Sequence, residues 1–422
     1  PPPPPANAVK DDVLESLTMI AESVAFRDAD SGLEQVPCRR PDIAGRPLRI
    51  AIVASSYNFI SDGVALTLNR LVGYLEKQGV EVRVFAPVSS TTSFPAPGII
   101  VPVPSIALPG RGEYRLAFAL PYDEIKAFSP DLIHIALAPD YLGFTTLRAA
   151  RKLGIPLVAS YHTRYETYLK HYWYVACFET ALKRYLSAYY AKCLEIYVPT
   201  QSMIDILQAD GQKGKLVLWQ RGVDSDQFNP GHRSVQWRTD HGIGPEETVI
   251  LLVSRLVREK QLGVFSETLR KLNDKDVPYR AVVVGDGPER VTLERALPQA
   301  IFTGFLRGQE LSMAYASSDI FVFPSETETF GNVTLEAMAS GLACVCANAS
   351  GSRSLVLDGV TGFLARPGDA EDFAFRVQQL TLDSTLRAGM AAAGRARALA
   401  FSWDQTMSSL LNHYMALVRN TP

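Results

Sequence analysis

The sequence predicts an α/β protein of two Rossmann-like domains facing each other across a cleft. Three observations carry this. Continuous apolar runs such as "LRIAIVASSY" and "TVILLVSRL" end in small polar residues, as strands buried on both faces do. These runs alternate with amphipathic stretches of helical period, the pattern of a parallel sheet with crossover helices. The alternation runs through two cycles of similar size, joined near Gly222.

Residues 1–46 read as an extension and linker: a Pro run that favours polyproline II or disorder, one candidate helix from Val13 to Ala25, then "PCRRPDIAGRP". The first domain is placed at 47–221. Its strands are "LRIAIV", "VEVRVFAPV", "DLIHIAL", "PLVASYHT" and "LEIYVPT", and "GVALTLNRLVGYLEKQG" is a helix ending at a Gly cap. "APGIIVPVPSIALPG" reads as a loop broken by Pro. The second domain, 222–400, opens on "GVDSDQFNP" and continues through "YRAVVVGDGP", "AIFTGFL", "DIFVFPS", "LACVCAN" and "TGFLARPG". A last helix, 401–422, is expected to return to the first domain.

The length of 422 residues suits two or three domains. Lys plus Arg is 42 and Asp plus Glu 44, which excludes a polycation that coats nucleic acid. Five Cys exclude a disulfide scaffold. No apolar run reaches the roughly 18 residues of a spanning helix, and no basic-then-apolar leader opens the chain, so the cytoplasm is the expected compartment. The chain begins without Met, as a processed or truncated chain would.

The most informative segment is "FVFPSETETFGNVTLEAMASGLACV". A strand enters an acidic loop, and Phe330-Gly331-Asn332 then opens a helix ending near Ser340-Gly341. Free amides at a helix start, aided by the dipole, form an anion cradle, and Gly331 lets the backbone come close to a phosphate. Glu328 before the helix and Glu336 one turn inside it accept hydrogen bonds from sugar hydroxyls rather than bind phosphate. Cradle and acceptors together suit a nucleotide diphosphate-sugar; alternatively, the acids simply favour a helix N-terminus.

Arg255 and Lys260 in "SRLVREK" leave a strand end where a cleft ligand would sit, either to grip a diphosphate or as a solvated basic loop. Gly285-Asp286-Gly287 is a phosphate turn or an ordinary tight turn. Gly63, after Ser61-Asp62, either approaches the phosphates from across the cleft or belongs to a plain strand-to-helix loop. His162 leaves another strand, as a hydrogen-bonding group near the reacting carbon or as a structural histidine.

Residues 161–197 hold nine of the 17 Tyr, interleaved with Lys and Arg, and residues 46–222 carry 19 Lys and Arg against 13 Asp and Glu. An anionic membrane surface fits that composition, as do helices that bury Tyr and expose Lys. Asp28-Ala29-Asp30 and Cys344-Val-Cys346 lack further metal ligands, and the two thiols read as buried.

Together these segments resemble the family-4 retaining glycosyltransferases of the GT-B fold, from about Pro47 to the C-terminal helix. The most specific part is Glu328 and Glu336 with "FGNVTLEAMASGLACV", supported by Arg255, Lys260 and "VVGDGP". "LWQRGVDSDQFNP" is similar to a subgroup holding GDP-mannose-dependent α-mannosyltransferases and sulfoquinovosyl-diacylglycerol synthases, which often glycosylate membrane lipids.

The resemblance implies that Glu336 holds the ribose, and that Glu328 with the amides of Phe330, Gly331 and Asn332 holds the donor sugar, with Val333 beside them. It implies that Arg255 and Lys260 clamp the diphosphate, that Gly63 closes from the other side, and that His162 meets the sugar near its reacting carbon. The base falls near Leu306, and Gly285, Asp286 and Gly287 complete the donor site. Asp62, Arg164 and Tyr165 fall to the acceptor. Ser-Asp-Gly replaces two adjacent Gly of many relatives, and "HTR" replaces a second His of some plant members.

The implied activity moves a hexose from GDP-mannose or a UDP-hexose to a hydroxyl of a lipid or glycolipid, with retention. It implies no cofactor, no metal, no nucleic acid partner and a peripheral place on a membrane. A nucleotide-sugar epimerase and a non-catalytic nucleotide-sugar-binding protein are the rival readings, and a phosphorylase would need a pyridoxal-bearing Lys.

Overall fold

The computed structural model describes residues 42–43, 45–58, 63–89, 96–108, 111–136, 140–162 and 179–420. The helix expected at Val13–Ala25 and the pair Asp28 and Asp30 lie outside them.

Strands β1 (Asp42–Ile43) and β2 (Arg46–Pro47) form a short antiparallel pair. Arg46 is bound in two places to Asp131, at 2.8 and 2.6 Å, so the end of the linker is already fastened to the first domain. That domain holds β3 (Arg49–Ala54), β4 (Glu81–Ala86), β5 (Ile99–Pro102), β8 (Leu132–Ala136), β9 (Leu157–Ser160), β10 (Ile196–Val198) and β11 (Leu216–Leu218). They pair in parallel in the order β11-β10-β9-β8-β3-β4-β5.

Side chains alternate across this sheet, as the pleat requires. Ala51 and Val53 face one core with Ile133 and Ile135, while Ile50 and Ile52 face the other with Val84 and Leu132. The second face is covered by the helix Gly63–Lys77 and by the terminal helix Trp403–Asn420, which contributes Met407, Leu410, Leu411 and Tyr414.

The segment read as a Pro-broken loop corrects that reading. It supplies β5 and also β6 (Ser105–Leu108), which forms an antiparallel hairpin with β7 (Arg111–Ala117). β5 is the last strand of its sheet, and an edge tolerates Pro because one row of ladder bonds is not required of it.

The second domain holds β12 (Val249–Val253), β13 (Arg280–Val284), β14 (Ile301–Gly304), β15 (Ile320–Phe323), β16 (Ala343–Ala347) and β17 (Gly362–Ala365), all parallel, in the order β14-β13-β12-β15-β16-β17. β12, β15 and β16 are buried along their whole length, as their unbroken apolar runs require. Cys344 and Cys346 are free, buried thiols on β16.

The chain crosses between domains twice at one place. Val223 bridges Ser402 in parallel, and a Cβ added at Gly222 would stand 2.4 Å from the Trp403 amide nitrogen. Glycine is required there for the two crossings to touch. Elsewhere the domains meet through Ser202 and Ser354, whose hydroxyls are 3.0 Å apart, and through Thr200, whose hydroxyl donates to the Thr329 carbonyl at 3.2 Å.

Candidate active site

In the second sheet the strand order reverses between β12 and β15, and the loops leaving these neighbours open a crevice at their carboxyl ends. One loop carries Lys260 and the other Glu328, and the two form an ion pair in which Lys260 keeps 13% and Glu328 20% of its side-chain surface exposed. Ser325 also donates to the same Glu328 oxygen at 3.3 Å. The acidic loop is seated from behind by the helix Ser350–Leu355. Ser350 donates to the Glu328 carbonyl at 3.0 Å, and a Cβ at Gly351 would stand 2.9 Å from the carbonyls of both Glu328 and Phe330.

Gly331 has φ of 99° and ends the loop, and Asn332–Ala339 is helical. Among the described residues the amides of Phe330, Gly331 and Asn332 donate to no protein acceptor, the condition expected of helix-start donors awaiting a ligand. Phe330 itself is buried, with its ring 6.1 Å from Phe401. Val333 follows in the helix and accepts at its carbonyl from Tyr315 at 3.3 Å.

Glu336 stands one turn inside the same helix and accepts from the Tyr315 hydroxyl at 3.0 Å. Burial pushes its carboxyl up to about 7, against the opposing pull of Tyr315 and of Arg70 in the first domain. Arg70 is itself 3.7 Å from Asp224 and lies over the Trp403 ring at 5.1 Å.

Arg255 is 60% exposed, and among the described residues its ion pairing is a loose 3.9 Å approach to Glu259. The Gly285-Asp286-Gly287 turn supports the Arg255 loop. A Cβ at Gly285 would fall 1.9 Å from the Ser254 carbonyl oxygen, and one at Gly287 2.4 Å from that of Leu256. The Leu256 amide donates to the Asp286 carbonyl at 2.8 Å, while the Asp286 carboxylate takes the Gly287 amide at 2.7 Å and pairs with Arg290 at 3.3 Å. The neighbouring exit of β14 is tied in where the Gly285 amide donates to Gly304 at 2.8 Å. Just beyond it Leu306 packs on the domain core, and Arg307 lies over exposed Phe305 at 4.8 Å.

From the first domain, Gly63 begins its helix directly opposite the cradle, and a Cβ there would stand 3.1 Å from Asn332 Nδ2. His162 follows β9, and its carbonyl accepts from the Thr329 hydroxyl at 3.0 Å. Both its ring nitrogens are occupied: Nε2 lies 2.8 Å from Ser160 Oγ, and Nδ1 2.6 Å from Arg221 Nη2. Burial, then the charge of Arg221, then His134 hold the imidazole far below its ordinary value, hence neutral. Asp62, Arg164 and Tyr165 lie outside the described residues.

Sequence reasoning missed the polar chain behind His162. Ser160 Oγ is also 2.7 Å from His134 Nε2, and His134 Nδ1 is bonded to the Tyr414 hydroxyl of the terminal helix. Two signals were present: a His inside the apolar strand "DLIHIAL", and an Arg beside Trp219 in "LWQRGVD".

Opposed parallel sheets with an anion cradle at the switch point of the second are the architecture of the two-domain, GT-B glycosyltransferases. The chain belongs to glycosyltransferase family 4. Residues 61–227 match the family model described as Glycosyltransferase Family 4, and residues 234–397 that described as Glycosyl transferases group 1. It is 34% identical over 411 residues to the sulfoquinovosyl transferase SQD2 of Arabidopsis thaliana, covering 92% of this chain and 77% of the relative. It is 33% identical over 383 residues to a GDP-mannose-dependent alpha-mannosyltransferase of Corynebacterium glutamicum, covering 88% and 90%. Among solved structures, the sucrose-phosphate synthase of Thermosynechococcus elongatus matches with a TM-score of 0.73 at 19% identity, covering 88% of this chain and 99% of that one. The protein is therefore a glycosyltransferase that draws its sugar from a nucleotide donor.

Proposed function

We propose that the chain transfers a hexose from GDP-mannose or a UDP-hexose to a hydroxyl of a membrane lipid or glycolipid, with retention of configuration and without a metal ion. The observation that carries this is the Lys260–Glu328 pair set beside three free amides at Phe330–Asn332. The diphosphate takes those amides, Lys260 and the loosely held Arg255, while Glu328 and Glu336 accept from sugar and ribose hydroxyls. As the sugar–phosphate bond breaks, the departing phosphate oxygen takes the proton of the acceptor hydroxyl on the same face. The protein's share is then positioning and stabilisation of the developing charge.

A lipid acceptor is supported by the surface of the first domain. Ile106, Leu116 and Phe118 on the β6–β7 hairpin and its exit are exposed, with Ile106 and Leu116 paired across the strands. Tyr141 and Phe144 are exposed on the helix Tyr141–Leu153, whose Thr145 hydroxyl takes the Leu120 amide at 3.0 Å, two residues from Phe118. Arg148, Arg151 and Lys152 are exposed on that helix. Apolar rings beside cations suit an anionic bilayer surface, a peripheral attachment rather than a crossing. Among the described residues no helix is long and apolar enough to cross a membrane.

The test is a thermal-shift screen of GDP- and UDP-sugars, followed by turnover of the stabilising donor with diacylglycerol-based acceptors in anionic vesicles. The expected result is one stabilising donor, a glycolipid product with the donor's anomeric configuration, and activity undiminished by chelator. An epimerised sugar from donor alone, or binding without turnover on any acceptor, would overturn it.

A further inference from the structure

Arg221 lies in the segment between β11 and the Gly222 crossing and is 5% exposed. Its guanidinium lies over the Trp219 ring at 4.6 Å, and Nη2 is spent on His162 Nδ1 at 2.6 Å. Nη1 is buried and has no hydrogen-bond partner among the described residues, and no carboxylate there lies within ion-pair distance of it. Burial lowers the guanidinium to about 9, which leaves it charged at neutral pH. Neutral His162 and His134 offer it no countercharge.

An isolated buried cation costs several kcal/mol of desolvation, so folds seldom keep one without an anion to meet it. The anion is not supplied by the described residues. What lies beside Arg221 is the seam between domains: His162, which holds it, gives its carbonyl to Thr329, the residue between Glu328 and the free amides. Because Arg only donates, His162 Nδ1 must accept, and its proton sits on Nε2 facing Ser160. Ser160 in turn donates to His134 Nε2, and His134 Nδ1 donates to Tyr414, the assignment that follows once Arg221 is the donor to His162. Arg221 is thus held rigidly by one edge while its other edge stays unpaired.

We propose that Arg221 is a further binding residue of the donor site, its Nη1 edge taking an anionic oxygen of the ligand from the first-domain side. This rests on the nucleotide-sugar reading of the cleft. The oxygen belongs either to the diphosphate or to an acidic substituent of the sugar, and both are the same chemistry to a guanidinium.

The experiment compares wild type with Arg221→Gln, which keeps a donor for His162 but removes the charge. Calorimetric titrations use UDP, GDP, UDP-glucose, GDP-mannose and UDP-glucuronate, beside unfolding midpoints without ligand. The expected result is a ligand-free variant at least as stable as wild type, since an uncompensated charge is gone, with weaker binding. A loss of tenfold or more for UDP or GDP and their sugars alike assigns the diphosphate. A loss confined to UDP-glucuronate assigns the acidic sugar. Unchanged affinity for every ligand that wild type binds overturns the proposal alone, whereas a wild type that binds none of the five overturns the donor-site reading beneath it. Should Arg221→Gln fail to fold, side-chain 15N spectra of wild type decide: Arg221 Nη1 shifts on adding UDP or GDP, or on adding UDP-glucuronate, if the proposal holds, and stays fixed under all of them if it is wrong.

Discussion

Lys260 and Glu328 leave two adjacent strands of the second sheet and neutralise each other in the mouth of the crevice, 68 residues apart in sequence. A donor arriving there meets a cation with further N–H groups to give and a carboxylate with a free oxygen. Removing either partner strips a transition-state contact and also leaves the other charge uncompensated. Lys260→Ala and Glu328→Ala should each lower kcat by about 10²–10³-fold, the usual loss of about 2.7–4 kcal/mol for one stabilising group. Because the pair acts as a unit, the double variant should lose clearly less than the two single losses combined. Steady-state kinetics of the three variants, with circular dichroism to confirm folding, decides this; full activity in Glu328→Ala would remove the site assignment.

Glu336 makes donor binding depend on pH. Its carboxyl is pushed up to about 7, mainly by burial, while the same group in the unfolded chain titrates near 4.5. Ribose hydroxyls are best accepted by the ionised form, so the donor KM should fall as pH rises from 6 to 8, approaching tenfold per unit below 7. Tyr315 donates to the carboxylate and lowers its pKa, so Tyr315→Phe should move the inflection to higher pH. Glu336→Gln should flatten it. A KM that is level across pH 6–8 in the unsubstituted protein would count against Glu336 as the ribose acceptor.

How much of this was legible follows from where each signal lives. β12 and β15 announce themselves because strands buried on both faces need unbroken apolar runs, and the acidic loop with Gly331 is local chemistry at a strand exit. β5 and β6 were hidden because Pro102 ends the first and Pro104 stands just before the second, so two short strands read as one Pro-broken run. The partners were hidden for another reason. Nothing local tells Lys260 that it will meet Glu328, or His134 that it will meet Tyr414, 280 residues on. The Gly285-Asp286-Gly287 turn shows the same limit: its glycines were visible, and the carbonyls they make room for were not.

Those carbonyls give a direct test. Gly285 has φ of 129°, and a Cβ there would stand 1.9 Å from the Ser254 carbonyl oxygen, so both conformation and contact forbid a side chain. Gly285→Ala should destabilise the protein on the order of 3 kcal/mol and lower donor affinity by displacing the Arg255 loop. Gly263 is exposed, nine residues on from Ser254, with nothing within 4 Å of an added Cβ. Gly263→Ala should be neutral or stabilising by about 0.4–1 kcal/mol. Urea unfolding of both variants checks the contrast, and equal midpoints would refute it.

His134 predicts how the protein fails in acid. It is fully buried, and burial, then the charge of Arg221, lower its pKa to about 3 from an ordinary 6.5. A depressed folded value means the unfolded chain binds the proton first, so the stability from keeping the ring neutral is complete above about 6.5 and is lost as pH falls toward 3. The slope reaches about 1.36 kcal/mol per pH unit for one such group. His162 is lowered in the same direction by burial, then by the charge of Arg221, so it adds to that loss as pH falls below about 6.5. Glu336 opposes them in part of this window, because its raised value lets the folded state take up a proton between about 7 and 4.5. Glu336→Gln should therefore steepen the acid loss and His134→Gln should relax it, relative to each variant's own stability at pH 7.5. Urea midpoints at pH 7.5, 6.5, 5.5 and 5.0 measure this, and a His134→Gln profile parallel to that of the unsubstituted chain would show that the buried imidazole is not the group being titrated.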